Sequence, residues 1–166
     1  MSGQGRRNER GAAVVEAAFV LPMLVMFFAA IVDFGFILND LQQVNNATFR
    51  AARELSVDEY SGATGCVADP ATALDTEKLV CMVRNFSGRP PAETYVRVVP
   101  PASMTSGEQV LVCLTTRARS ITGMAEPLSG EIWLKSARYV RIESDEVDVA
   151  AHSDTLPAGT DWTWCT

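Results

Sequence analysis

The sequence predicts an α+β fold in which a long N-terminal helix packs on a small three-stranded antiparallel sheet, with a second short helix beside it. Three observations lead to this fold class. A long apolar segment continues into an amphipathic helical pattern, three later segments alternate as β-strands do, and all four cysteines lie downstream of the apolar segment. With 166 residues, the chain has room for one globular domain in addition to the N-terminal element.

The first helix is predicted to run from Ala12 to about Ser56, and its first half is apolar enough to cross a membrane. The stretch from Ala12 to Leu38 would measure about 40 Å as a helix, which exceeds the ~30 Å hydrocarbon core of a bilayer. Pro22 lies inside this stretch, and we expect it to interrupt the hydrogen bonding and kink the axis, as membrane helices tolerate. Residues 12–38 are therefore predicted to form a transmembrane and assembly helix.

The charges around the apolar segment predict its orientation. Three arginines and only one acidic residue precede it, so residues 1–11 should stay in the cytoplasm as a leader and residues 39–166 should be exported. A cleaved secretory signal peptide is the competing interpretation. It is disfavoured because Phe28 occupies a position where a small residue is needed and the helical pattern continues to Leu55. The net charge of −6, without a basic face, argues against a nucleic-acid partner.

The second half of the predicted helix, from Leu38 to Leu55, mixes polar and apolar residues at helical spacing. Its polar positions are Asp40, Gln42, Gln43, Asn45, Asn46 and Arg50, and its apolar positions include Leu41, Val44, Phe49 and Ala52. Such a pattern gives one apolar stripe that can be buried against a domain. We therefore expect one long helix that lies half in lipid and half in protein.

A second, shorter helix follows a glycine-containing loop. It should run from near Pro70 or Thr76 to Phe86, with Asp69 or Asp75 as its N-terminal cap and a glycine after its last turn. The capping aspartate would accept hydrogen bonds from the free backbone N–H groups of the first turn.

Three β-like segments come next, at residues 94–99, 108–119 and 131–143. The middle segment alternates apolar and polar side chains, as expected of a strand with one covered face. Residues 122–130 contain two glycines and a proline, which indicates a loop rather than a tight hairpin. After Glu143 the chain is acidic and is predicted to form a loop.

The four cysteines, Cys66, Cys81, Cys113 and Cys165, all fall in the part predicted to be exported. An even number of cysteines outside the cytoplasm indicates two disulfides, with three possible connectivities. We favour Cys66–Cys81, which closes a short loop worth up to ~3 kcal/mol in the chain-entropy model, and Cys113–Cys165, which fastens the C-terminus onto a predicted strand. A metal site is disfavoured, because there is no Cys-x-x-Cys pair and only His152 could assist.

No residue pattern indicates catalysis or a cofactor. The single histidine, His152, lies near Asp154 in a polar stretch and is interpreted as an exposed residue of the tail. Trp162 and Trp164 could form an adhesive aromatic tip, but we favour their packing at the edge of the domain. The chain is accordingly predicted not to be an enzyme.

One acidic residue, Glu16, stands inside the apolar segment, just after Gly11 and Ala12. A carboxylate in hydrocarbon is costly and usually has a partner. If the chain is cut after Gly11, the new α-amine of Ala12 is a cation near neutral pH, because its pKa is about 8. In a helical stack of subunits, Glu16 of one subunit could pair with that amine in the next. The alternative is an uncut membrane anchor in which Glu16 reaches the interface.

These residues resemble a known family, the TadE-like minor pseudopilins of tight-adherence (Flp, type IVc) pili. The resemblance rests on Arg10-Gly11-Ala-Ala-Val-Val-Glu16, Phe19-Val-Leu-Pro22-Met-Leu, Ile31-Val-Asp33-Phe-Gly35 and Ala47-Thr-Phe-Arg50-Ala-Ala-Arg53, with a weaker similarity in Leu134-Lys-Ser-Ala-Arg138-Tyr-Val-Arg141-Ile-Glu143. In the family, glutamate is commoner than aspartate at the position of Asp33.

The resemblance implies a function in pilus assembly and surface attachment. It implies that a prepilin peptidase cuts the chain between Gly11 and Ala12, and that the partners are other pilins or pseudopilins and the pilus assembly machinery. It also implies a single-pass protein of the cell membrane, with its N-terminus in the cytoplasm and its C-terminal domain outside, which can enter a pilus.

Overall fold

A single 52-residue helix, α1 (Gly5–Ser56), forms the N-terminal part of the protein. The computed structural model describes residues 5–57, 63, 65, 67, 72–123, 130–144 and 146–166, with side chains from residue 11 onward. The helix begins at Gly5 rather than at the predicted Ala12, because nothing in the leader sequence stops the helical hydrogen bonding from extending backwards. It is continuous through Pro22, which removes only one of the many backbone donors along the helix, and the expected kink of the axis stays a prediction.

The C-terminal half of α1 packs on the rest of the protein through one apolar stripe. Its buried side chains recur at intervals of three and four residues, namely Val44, Ala47, Thr48, Ala51, Ala52 and Leu55. Phe49, which we had expected among the apolar positions of this half, is instead 61% exposed. At about 3.6 residues per turn, a side chain directly after Thr48 points away from the stripe, whatever its polarity.

The second helix, α2 (Asp75–Ser87), lies against α1 and buries Leu79, Met82 and Val83. Its N-cap is Leu74, without a side-chain cap, so the predicted cap by an aspartate is wrong at Asp75, and Asp69 lies outside the described residues. As the first helical residue, Asp75 instead accepts hydrogen bonds from the Lys78 ammonium at 3.1 Å and from the backbone N–H of Asp148 at 3.0 Å. Its carboxylate therefore ties the C-terminal tail to the helix.

The end of α2 follows the prediction. Gly88 adopts a left-handed conformation with φ of 62°, and its N–H donates to the carbonyl of Asn85. Glycine takes this conformation without the steric cost that a side chain would add. A short 3-10 turn at Pro91–Glu93 then leads into the first strand.

The sheet has four antiparallel strands, β1 (Thr94–Val99), β2 (Gln109–Arg117), β3 (Trp133–Arg141) and β4 (His152–Ser153), in the order β3-β2-β1-β4. The three longer strands lie in the three segments that the alternating pattern predicts. The fourth is a correction, because we expected only loop after Glu143. This strand is two residues long, and no periodicity can be recognised over so few residues.

Both helices cover one face of the sheet, and the hydrophobic core lies between the helices and this face. The side chains of the covered face include Val96, Val98, Val110, Val112 and Leu114, all of which are fully buried. Val147 and Val149 of the C-terminal tail join the same core. This arrangement is the α+β fold that the sequence predicts, with the helices segregated on one side.

The C-terminal tail covers part of the opposite face. A disulfide joins Cys113 in β2 to Cys165, and these residues form a small second cluster with Leu111, against which Trp162 and Trp164 pack. The structure thus contains one of the two favoured disulfides and packs the tryptophans at the domain edge. The other favoured pair, Cys66–Cys81, includes a cysteine outside the described residues, Cys66.

Candidate functional site

The N-terminal half of α1 is an apolar helix without intramolecular packing. From Ala12 to Val32 every described side chain is exposed except that of Ala29, which is half-buried. This segment gives the helix the length and composition needed to cross a membrane. A row of exposed phenylalanine, leucine, valine and methionine side chains is unfavourable in water. The segment therefore needs a lipid or protein environment that the described part of the chain does not supply.

The predicted processing site lies in this open segment. A side chain placed on Gly11 would meet no atom within 4 Å, apart from the helix's own backbone, so the peptide bond to Ala12 is reached without obstruction by the domain. Glu16 is exposed, and in the part of the chain that the structure describes no side chain forms an ion pair or hydrogen bond with it. Ala12 and Glu16, four residues apart, share one face of the helix and are presented together to any neighbouring subunit.

The contact between α1 and the domain begins at a second carboxylate, Asp33. Its side chain is buried, and it accepts four hydrogen bonds from the segment that follows β2. Oδ1 accepts from the backbone N–H groups of Ile121 at 3.1 Å and Thr122 at 3.0 Å. Oδ2 accepts from the hydroxyls of Ser120 at 2.9 Å and Thr122. We call this arrangement the Asp33 clamp.

The Asp33 clamp fixes where the domain starts along α1. Four donors saturate the carboxylate, which makes its burial tolerable. The predicted spanning segment, residues 12–38, therefore overlaps the start of the domain, since Asp33 lies within it. Sequence reasoning missed this site because the donors lie 87 to 89 positions away along the chain. The available signals were an aspartate in an apolar run and a loop with two hydroxyl residues.

A buried ion pair lies close to the clamp. The guanidinium of Arg89, after the end of α2, contacts the Asp40 carboxylate of α1 at 2.7 Å and the carbonyl oxygen of Arg117 at 2.8 Å. Only 3% of the Arg89 side chain is exposed. This residue therefore joins α1, α2 and the end of β2, and it reinforces the orientation that the Asp33 clamp gives to the domain.

The C-terminal tail is held by polar contacts as well as by its disulfide. The indole N–H of Trp162 donates to the carbonyl of Asp154 at 3.2 Å, and that of Trp164 donates to the carbonyl of Asp161 at 2.9 Å. Hydrogen bonds from the hydroxyl and the backbone N–H of Thr163 lower the pKa of Asp161, and the nearby Lys135 ammonium acts in the same direction.

The other predicted cysteine pair is only partly described. Cys81, in α2, is disulfide-bonded. Cys66 lies outside the described residues, so the pairing of Cys66 with Cys81 stays a prediction.

The single histidine lies beside an aspartate in the C-terminal tail. His152 lies in β4, and its Nε2 is 3.1 Å from the Asp154 carboxylate, which also accepts from Arg84 at 2.7 Å. His152 was expected to be an exposed residue of the tail, and it does lie in the tail, but it is half-buried in a short strand. In the described ranges, no group of three or more histidine, cysteine or acidic residues is placed to hold a metal ion.

The first part of the chain is similar to a known protein family. The sequence model of the family described as TadE-like protein matches residues 11–53, which are the exposed segment and the packed half of α1. A search of curated proteins and a search of solved structures found no significant match. The matched family consists of pilin-like, non-enzymatic proteins of tight-adherence pili. The match begins at Gly11 and ends before α2 and the sheet.

Proposed function

We propose that this protein is a minor pilin-like protein, a pseudopilin, that supports the assembly of tight-adherence pili and surface attachment. A prepilin peptidase cuts the leader after Gly11. Glu16 then pairs with the Ala12 amine of a neighbouring subunit. The protein acts by binding other pilins and the assembly machinery, and it catalyses no reaction.

The observation that carries this proposal is the apolar half of α1, whose side chains are exposed in the described structure and whose carboxylate, Glu16, has no partner among the described side chains. Within the described ranges the domain does not cover this surface, which favours lipid or other chains as its partners. In a low-dielectric helix bundle, a lone carboxylate destabilises any arrangement that leaves it unpaired. A neighbouring subunit that brings a cationic terminus to Glu16 removes this cost, and a neighbour in another register does not. Glu16 is therefore suited to select the register of assembly.

The same observation supports a location in the cell membrane before assembly. The leader stays in the cytoplasm, residues 12–38 include the spanning helix, and the disulfide-bonded domain lies outside. A disulfide between Cys113 and Cys165 is stable in that oxidising environment and uncommon in the cytoplasm. The closed fold of the domain then serves as the part of the subunit that other envelope or pilus components contact.

The decisive experiment is N-terminal sequencing of the protein extracted from membranes of cells with and without a prepilin peptidase. We expect Ala12 as the first residue when the peptidase is present and Met1 when it is absent. A chain that begins at Met1 in both cases would instead support an uncut membrane-anchored binding domain. That alternative also predicts a monomer in detergent and no association with pilins.

A pair of glycine variants makes this experiment specific. Gly11→Val should block cleavage, because a side chain beside the scissile bond hinders the approach of the peptidase. Gly35→Val is the matched control, since a side chain there also meets no atom within 4 Å outside the helix's own backbone but lies far from the cut. Cleavage of the Gly11→Val protein at the normal rate would contradict the proposed site.

A further inference from the structure

The end of the domain nearest the membrane carries an exposed apolar residue, Ile121, in the loop of the Asp33 clamp. Ile121 is 59% exposed even though its backbone N–H is held by Asp33. Arg119, two residues earlier, is also exposed. The nearby cation Arg117 already contacts Glu131 at 3.3 Å. Arg119 and Ile121 therefore present one cation and one apolar side chain on the described part of this loop.

The height of this loop along α1 follows from the helix geometry. If Glu16 marks the cytoplasmic boundary, about 20 residues are needed to cross the hydrocarbon, so the outer boundary lies near Phe36. Exposed apolar side chains continue beyond Asp33 at Phe34, Phe36 and Leu38. Because Asp33 contacts the loop directly, residues 120–122 lie level with this boundary rather than above it.

The side chains of residues 119–123 are of the kinds that suit the outer boundary of the bilayer. The interfacial region of a bilayer extends beyond the ~30 Å hydrocarbon core and offers both acyl chains and phosphate groups. The loop covers the Asp33 carboxylate with four hydrogen bonds, so both of its oxygens have donors and neither is left unsatisfied towards the lipid. The exposed side chains beside it are of the kinds that bind such a surface, an aliphatic group and a cation.

We propose that residues 119–123 form a second membrane contact of the unassembled protein. The Ile121 side chain enters the interfacial region of the bilayer, and the Arg119 guanidinium pairs with lipid phosphates. The partner is a phospholipid surface, and the argument for it is the continuity of this loop with the exposed apolar surface of α1. The inference rests on the proposed membrane insertion of α1 and is independent of cleavage after Gly11.

The second membrane contact would restrict the orientation of the domain relative to the bilayer. A single spanning helix leaves an attached domain free to tilt about the membrane surface. A second contact, offset from the helix axis, restricts this tilt and holds one side of the domain towards the bilayer. When the helix leaves the membrane for a filament, the contact is broken and residues 119–123 become available to other partners.

The test is to place the full-length protein in phospholipid nanodiscs that contain a lipid with a nitroxide near the headgroup, and to measure line broadening of backbone amides by NMR. We expect amides at Ile121, Thr122 and Gly123 to be broadened several-fold more than that of Gly107. Gly107 is a suitable reference, since it pairs with Ile142 at the opposite end of the sheet.

Matched variants separate this contact from simple proximity. Ile121→Asp should reduce the broadening at Gly123 several-fold while the Thr122 amide, which donates to Asp33, stays protected from exchange with solvent. Leu74→Asp is the control, because Leu74 is comparably exposed at 65% but precedes α2 at the distal end. Arg119→Gln should weaken the contact more in nanodiscs with anionic lipid than in zwitterionic ones, and less at high salt.

The possible results separate the two proposals. If the amides of residues 12–32 are broadened but those of residues 120–123 match Gly107, the second membrane contact is refuted and membrane insertion stands. If the amides of residues 12–32 are not broadened either, the proposed insertion itself fails. An effect of Leu74→Asp equal to that of Ile121→Asp would also overturn the contact.

Discussion

Two carboxylates on the same helix have opposite environments. Glu16 is exposed on the half of α1 that contacts nothing in the described protein, whereas Asp33 is buried and accepts four hydrogen bonds from the segment after β2. The chemical group is nearly the same, so the difference comes from what surrounds it. A carboxylate that the fold satisfies itself contributes to stability, and one that the fold leaves unsatisfied is available for an intermolecular partner.

This comparison predicts its largest effect at Glu16. Glu16→Gln should reduce co-purification of the protein with pilus subunits by about a hundredfold to a few thousandfold, because removing one member of a buried charge pair costs about 3–5 kcal/mol. The unfolding midpoint of the domain should not change. The measurement is quantitative pull-down from membranes, with tryptophan fluorescence reporting on the domain, since all three tryptophans lie there.

Glu16→Asp is the control for this variant, because it keeps the charge at the same position of the helix. It should retain most of the association. Equal association of the Glu16→Gln protein and the unaltered protein would remove the proposed role of the charge pair, even if cleavage after Gly11 is confirmed.

The second prediction concerns the Asp33 clamp and has the opposite pattern. Asp33→Asn should destabilise the domain by about 3 kcal/mol, because four donors lose their charged acceptor. Ser120→Ala removes one of these donors and should cost less, about 1–2 kcal/mol. Denaturant unfolding in detergent, followed by tryptophan fluorescence, measures both.

If Asp33→Asn unfolds at the denaturant concentration of the unaltered protein, the clamp does not hold the domain on α1. An intermediate result, with Asp33→Asn and Ser120→Ala equally destabilised, would assign the stabilisation to the Ser120 hydroxyl, which also accepts from the backbone N–H of Gly123 at 2.9 Å.

The third prediction extends the comparison from charge to packing. Ala51 is fully buried against the core and Ala18 is exposed, although both are alanines of α1. Ala51→Leu should destabilise the domain by about 1–3 kcal/mol through overpacking, whereas Ala18→Leu should leave the unfolding free energy unchanged. The same fluorescence measurement compares them. Destabilisation by Ala18→Leu would show that the N-terminal half packs on the domain.

Much of the fold follows from short-range patterns that are visible in the sequence. The buried stripe from Val44 to Leu55 was predictable because a helix brings residues three and four positions apart to one face. The strands were predictable because apolar and polar side chains alternate along them. The end of α2 was predictable because glycine permits the left-handed conformation that Gly88 adopts. In the candidate site, Gly11 and Glu16 were predicted from their neighbours alone, and their roles in processing and assembly stay predictions.

What the sequence did not reveal depends on partners far along the chain. Asp33 and Thr122 meet only because the sheet brings the end of β2 back to α1, and no local pattern contains that information. The strand β4 exists because two tail residues lie beside β1, since a strand of this length has no signal of its own. Asp75 bonds the tail rather than capping α2, which again depends on tertiary contact.

The smallest predicted effect comes from a third carboxylate, Asp161, which is hydrogen-bonded like Asp33 but exposed like Glu16. Its pKa lies below the ordinary value of 3.8, because Thr163 donates through its hydroxyl and its backbone N–H. A pKa that is lower in the folded state stabilises the fold above the ordinary pKa, and this contribution is lost as the pH falls through the folded value.

An NMR titration of the Asp161 carboxyl carbon should therefore show a midpoint below 3.8, which returns towards 3.8 in the Thr163→Val protein, although the backbone N–H bond remains. The effect on the unfolding midpoint should be slight even at acid pH, since water competes for an exposed carboxylate and screens its contacts. The opposite result would be a large loss of stability at acid pH that disappears in the Asp161→Asn protein. It would mean that hydrogen bonding alone, without burial, lets a carboxylate contribute strongly to the stability of the fold. In that case the contrast between Asp33 and Glu16 would rest on the presence of donors and not on the exclusion of water.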